Sequence, residues 1–148
     1  MSKVTIVYGS GGGNTELVCE KVSAVLGAAG HDVELMRAKT TKPEEVGGFD
    51  LLILACPTYG HGQLETYFEK FFNGFQDADL KGKKCCTIGL GDLKYDADYL
   101  LESAKVIEKF FEEKEADVIC KPLKIVRSPV PYLDSLVAKW AEELAKLI

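Results

Sequence analysis

Ser10, Gly11, Gly12, Gly13, Asn14 and Thr15 make up the stretch of this sequence with the plainest chemistry. Glycines let a backbone turn inward and aim successive N–H groups at one point. Such donors, placed at the start of a helix, favour a phosphate. Ser10, Asn14 and Thr15 add side-chain donors. The loop contains no lysine or arginine, so it is not a Walker loop, which requires Gly-Lys-Ser/Thr. It also lacks the full glycine register of a dinucleotide fold. Two later loops, Cys56-Pro57-Thr58-Tyr59-Gly60-His61-Gly62 and Gly89-Leu90-Gly91-Asp92-Leu93-Lys94-Tyr95, each carry one aromatic near the tip. Tyr59 and Tyr95 can cover the two faces of a planar heterocycle. Together the three loops ask for a ligand with a phosphate tail and a flat head.

The elements that must position these loops alternate in type. Val4–Tyr8 is a short β-rich apolar run. A helix follows, capped by Asn14 or Thr15, with Leu17, Val18, Val22, Val25, Leu26 and Ala29 at helical spacing and Gly30 at its end. Asp32–Met36 alternates as strand two. Residues 38–49 read as a polar connection with a helical turn after Pro43. Leu51–Cys56 is a buried strand stopped by Pro57. Residues 64–74 form a helix with Leu64, Tyr67, Phe68, Phe71 and Phe72 on one face. Lys84–Gly89 is strand four. A helix over 97–114 buries Leu100, Leu101, Ala104, Ile107, Phe110 and Phe111. Strand five spans Asp117–Ile125, with Pro122 forcing an edge position or a break. A last helix over 132–147 presents Leu133, Leu136, Val137, Trp140, Leu144 and Leu147. Five β-α units predict one α/β domain over 1–148, a three-layer α/β/α sandwich around a five-stranded parallel sheet. With strand order 2-1-3-4-5, the ligand sits beyond the carboxyl ends of strands 1, 3 and 4.

Composition narrows the function. The 148 residues are 47% hydrophobic and 28% charged, which suits one soluble domain with its own core. The net charge of −5 argues against a nucleic-acid partner and suits steering toward basic proteins. The N-terminus reads directly into a strand, and no apolar run reaches the roughly 20 residues of a membrane span, so a cytoplasmic protein is expected. Five scattered cysteines without a CxxC pair fit a reducing compartment and read mostly as small buried hydrophobes. Two lone histidines supply no metal site.

Val7-Tyr8-Gly9-Ser10-Gly11-Gly12-Gly13-Asn14-Thr15-Glu16 resembles the phosphate signature of the flavodoxins, Ser/Thr-x-Thr-Gly-Asn-Thr. Ser10, Gly13, Asn14 and Thr15 match it, while Gly12 stands where the family usually has threonine. The resemblance extends to the second loop, where Tyr59 takes the inner-face position. It extends to the third, where Gly91, Asp92 and Tyr95 match a Gly-Asp-x-x-Tyr pattern and Tyr95 takes the outer face. No insertion splits strand five, as in the short-chain group. The resemblance implies one non-covalent FMN, contacted by Ser10, Gly11, Gly12, Gly13, Asn14, Thr15, Pro57, Thr58, Tyr59, Gly60, His61, Leu90, Gly91, Asp92 and Tyr95. It implies a monomeric low-potential electron carrier serving reductases and other redox proteins. It also implies that the Gly60-His61 peptide turns over on reduction. His61 stands where the family often has an acidic residue, and Lys94 sits inside the third loop; a less negative potential is expected from both. The alternatives are a flavodoxin-fold NAD(P)H or quinone reductase, for which the short loops offer no second pocket, and an activator dedicated to one partner. A phosphorylation-dependent regulator of this topology would need acidic residues where Ser10, Gly11, Pro57 and Thr58 stand.

Overall fold

The computed structural model describes residues 1–59, 63–91 and 102–148. In chain order the elements are β1 (Lys3–Tyr8), α1 (Asn14–Ala28), β2 (Asp32–Arg37), β3 (Leu51–Tyr59), β4 (Gln63–Leu64), α2 (Thr66–Gly74), β5 (Lys84–Gly91), α3 (Glu102–Glu113), β6 (Asp117–Val118), β7 (Leu123–Val126) and α4 (Ala138–Ala145). The sheet runs β2-β1-β3-β5-β6, with β7 continuing beside β5 and β4 folded back on β3. This is the expected 2-1-3-4-5 order with helices on both faces. Successive strand residues point to opposite faces, and β3 shows the result. Leu51, Ile53 and Ala55 join the core under α1 and α4. Leu52, Leu54 and Cys56 join the core under α2 and α3. The second core is dominated by Phe68, Phe71, Phe72, Phe75, Phe110 and Phe111.

Three elements depart from the sequence reading. Pro57 does not stop β3, which continues through Tyr59. Alternate residues of a strand direct their backbone groups to the same side. Ala55 faces β1, accepting from Gly9 N–H at 3.0 Å. Pro57 faces that side too, past the last β1 residue paired with β3, so its missing donor breaks no ladder bond there. Strand five splits into β6 and β7, both paired with β5, around the Pro122 segment. Among the described residues the sheet therefore has seven strands, two of them only two residues long. The last helix begins as a 3-10 turn over Val130–Tyr132 and a π turn over Leu133–Val137 before α4. A π turn holds an extra residue and shifts the helical phase, which leaves Leu136 46% exposed. Leu17, Ala29, Tyr67 and Leu147, expected on apolar faces, are also exposed. The helical turn after Pro43 is present as a 3-10 turn. Leu100 and Leu101 lie outside the described residues.

Chain ends and helix ends are tied locally. Gly30, at φ 95°, donates to Gly27 C=O at 3.0 Å, while His31 N–H donates to Leu26 C=O at 3.1 Å. That is a Schellman motif, and glycine adopts its left-handed backbone without strain. Trp140 Nε1 donates to Lys121 C=O at 2.9 Å, tying α4 to the connection between β6 and β7. No helix among the described residues is long and apolar enough to cross a membrane.

Candidate functional site

The carboxyl ends of β1, β3 and β5 lie side by side in register, with Tyr8 opposite Ala55 and Pro57 opposite Leu90. The switch point of the sheet falls between β1 and β3, where the chain turns from one side to the other. The three sequence-marked loops leave from these strand ends.

The first loop closes tightly. Gly13 adopts φ 87°, a left-handed turn. Its N–H donates to Ser10 Oγ at 3.0 Å, and its C=O accepts from Leu17 N–H at 3.0 Å. Gly13 itself is the N-cap of α1, and no side chain caps this helix. The sequence reading gave the cap to Asn14 or Thr15. Asn14 instead lies exposed in the first turn, and Thr15 is buried beneath it. A helix start without a side-chain acceptor leaves its amide donors for something else. Gly12 has open space where a Cβ would stand. The donor set and the free space fit a phosphate.

The second loop meets the first. Gly11 N–H donates to the Tyr59 hydroxyl at 3.0 Å. A Cβ on Gly11 would collide with that same hydroxyl, so a side chain there would have to push Tyr59 aside. Thr58 is buried, and its hydroxyl donates to Ser103 Oγ at 2.9 Å. Ser103 Oγ donates in turn to Cys56 C=O at 2.9 Å, and Ser103 N–H donates to Thr58 Oγ1 at 3.0 Å. This closed relay locks the end of β3 to the first turn of α3. Leu90 turns its side chain into the core with Tyr8 and Ile125, so only its backbone can face a ligand. Gly91 ends β5 at the rim. Gly60, His61, Asp92, Lys94 and Tyr95 lie outside the described residues.

Several residues here were invisible to pattern reading. Glu65 is buried and caps α2, accepting from Tyr67 N–H at 3.1 Å and Phe68 N–H at 2.8 Å. Its carboxylate sits directly against Gly9. Arg37, at the end of β2, grips Glu16 through 2.7 and 2.8 Å bonds and reaches the Tyr8 hydroxyl at 3.3 Å. With Lys39 and Tyr67, Arg37 lines a cleft of about 210 Å³ beside Ser10 and Gly11. The loop itself is free of cations, yet the fold brings two to its flank. Glu16 neutralises one of them, and Lys39 Nζ lies 4.9 Å above the Tyr67 ring. Glutamate is not among the usual N-cap residues, so no local pattern marked Glu65. Nothing in the sequence pairs Arg37 with Glu16.

Hydrogen bonds from Arg37 hold the Glu16 carboxyl below the usual glutamate value of 4.5. Because the folded value is depressed, the stabilisation is complete above the ordinary value and is lost as pH falls through the lowered one. Arg37→Met is expected to return Glu16 upward toward 4.5. Carboxyl ¹³C chemical shifts followed against pH measure this, and an unchanged midpoint would refute the pairing.

Comparison with known proteins agrees with this geometry. A flavodoxin family model matches residues 6–140. The flavodoxin of Maridesulfovibrio salexigens is 36% identical over the full length of both chains. Among solved structures, oxidised flavodoxin 2 of Bacillus cereus superposes with a TM-score of 0.84 at 30% identity, covering 97% of this chain and 95% of that one. Oxidised flavodoxin 1 of the same organism gives 0.88 at 23% identity over 99% of both, a likeness of fold. A doubly wound sheet, an uncapped glycine loop at its switch point and a full-length relative lead to one conclusion: the chain belongs to the flavodoxin family, the small FMN-binding electron carriers.

Proposed function

We propose that the chain holds FMN with its phosphate on the amides and hydroxyls of Ser10–Thr15. The flat head lies between the segments carrying Tyr59 and Tyr95. When bound, FMN supplies one-electron chemistry. The protein's share is grip, orientation and exclusion of water. Ser10 Oγ braces the Gly13 amide, so the loop keeps its turn while the remaining donors face the ligand. The observation that carries the reading is the Gly11–Tyr59 bond, which sets the second loop's aromatic against the phosphate loop. Pro57 and Thr58 act as part of the strand that presents Tyr59, and Leu90 and Gly91 as the backbone rim of β5. Gly60, His61, Asp92 and Tyr95 keep the roles the resemblance gives them.

The chain works as a cytoplasmic monomer that passes electrons between partner proteins. Its net charge of −5 favours partners with basic docking faces. The test is titration of apoprotein with FMN, followed by potentiometry of the complex. The expected result is one FMN per chain and two separated one-electron steps. A chain that takes up no FMN, or that oxidises NAD(P)H catalytically by itself, overturns the reading.

Gly12 offers a second check. It lacks the hydroxyl of the family's usual threonine, has an ordinary backbone, and has room for a side chain. Gly12→Thr is expected to tighten FMN binding by roughly two- to tenfold, the worth of one added hydrogen bond of about 0.5–1.5 kcal/mol. Quenching of flavin fluorescence measures it, and weaker binding by the threonine variant would place Gly12 away from the phosphate.

A further inference from the structure

All five cysteines are unbridged, and the proposed flavin site uses none of their thiols. Cys19, Cys56 and Cys85 sit alone in the core, where burial pushes each thiol up, Cys85 to about 12. Cys86 and Cys120 are different. Their sulfurs lie 3.3 Å apart although 34 residues separate them in the chain. Cys86 is fully buried in β5, and Cys120 is half-buried on the connection from β6 to β7.

We infer that Cys86 and Cys120 are a redox-active dithiol that closes reversibly to a disulfide by exchange with low-molecular-weight disulfides of the glutathione class. The register of the sheet supplies the needed play. β5 pairs with β6 at Cys85–Val118 and with β7 at Ile88–Leu123. Between those pairs β5 has two residues, 86 and 87, while the edge has four, 119 to 122. The surplus is a bulge, and bulged residues leave the ladder. A disulfide needs its sulfurs at about 2.05 Å. Closing from 3.3 Å moves the bulge carrying Cys120 and leaves β5 in place. Cys85 is not a rival partner for Cys86. Adjacent strand residues point to opposite faces, and these two thiols lie in different cores.

The two thiols divide the work. Cys86 keeps its proton, because the hydrogen bond it shares with Cys120 raises it and its deeper burial adds to that. The same shared bond lowers the Cys120 thiol, which is also the less buried of the two. The Cys120 thiolate attacks one sulfur of the small disulfide, breaks its S–S bond and expels one thiolate. The expelled thiolate takes up the Cys86 proton. Cys86 then attacks the Cys120 sulfur and expels the second small thiolate, which is protonated from water. Two protein thiols have lost two electrons, and the small disulfide has become two thiols. No electron passes through FMN.

The FMN-loaded protein is incubated with oxidised glutathione, quenched in acid, unfolded, alkylated and mapped by mass spectrometry. The expected result is loss of two of the five alkylatable thiols, with the Cys86 and Cys120 peptides joined, and full recovery in dithiothreitol. Cys86→Ala is expected to stop at a lasting glutathione adduct on Cys120. Cys120→Ser is expected to form neither adduct nor bridge. The visible flavin spectrum reports whether each variant is folded, and the unmodified chain decides the question alone if one is not. Five alkylated thiols, a bridge to Cys85, or a lasting adduct on Cys120 with Cys86 intact would each overturn the inference.

Discussion

Gly9→Ala is expected to unfold at a markedly lower urea concentration than the parent and to bind FMN at least about tenfold more weakly, a loss of roughly 1.4 kcal/mol or more. A Cβ at position 9 would stand 2.6 Å from the Phe68 Cβ and against the Glu65 carboxylate. The end of a side chain can usually swing aside. Glu65 is held, because it accepts from both Tyr67 and Phe68 N–H groups at the start of α2. Relief therefore means either releasing that cap or lifting α2 from the sheet. Overpacking costs about 1–3 kcal/mol, and a lost cap about 0.5–2. A destabilisation of about 1–3 kcal/mol follows, measured by urea denaturation of the apoprotein. Glycine's neighbour is Ser10, so the same displacement reaches the phosphate loop. A variant with the parental midpoint would show that α2 does not press on Gly9.

Ser103→Ala is the second large effect. Ser103 is wholly buried, takes part in three hydrogen bonds and joins β3 to α3. Removing its hydroxyl strands the Thr58 O–H in a dry site and takes a donor from Cys56 C=O. An unsatisfied buried group costs about 1–3 kcal/mol. The relay also fixes the strand end before segment 60–62 to the helix start after segment 92–101. Calorimetric FMN affinity is therefore expected to fall together with stability. Thr58→Ser keeps the hydroxyl and is expected to retain FMN affinity close to the parent. Parental affinity and stability in Ser103→Ala would deny the relay any part in holding the site.

The order of elements, and with it the layered sheet, was legible because each strand and helix declares itself locally. Hydrophobic period, glycine and proline placed β1, α1, β2, β5 and the end of α3 within a few residues, and Gly30 announced its own turn. The glycine loop and the tyrosine ending β3, which meet through the Gly11–Tyr59 bond, were legible for the same reason, while Tyr95 lies outside the described residues. What escaped depended on contacts between distant residues. The side to which Pro57 turns is set by where β1 stops, and no window around Pro57 contains that fact. Leu136 has ideal spacing for an apolar face until the π turn that contains it rotates it outward. Glu65 against Gly9, Arg37 on Glu16 and Ser103 on Thr58 each join segments far apart in the chain. Fold class is read from repetition, whereas the bracing of a site is read only once the chain has been brought together.

The chain has one tryptophan, and its indole N–H is spent on the Lys121 carbonyl. Cys86 shows that this connection lies beside the amino-terminal half of β5, at the opposite end of the strand from Gly91. In the apoprotein, Trp140 emission is therefore a local reporter of the C-terminal helix leaving the sheet, optically separate from the tyrosines of the proposed cofactor rim. Excitation at the red edge of indole absorption, where phenols do not absorb, then times the release of that helix by itself as the molecule unfolds.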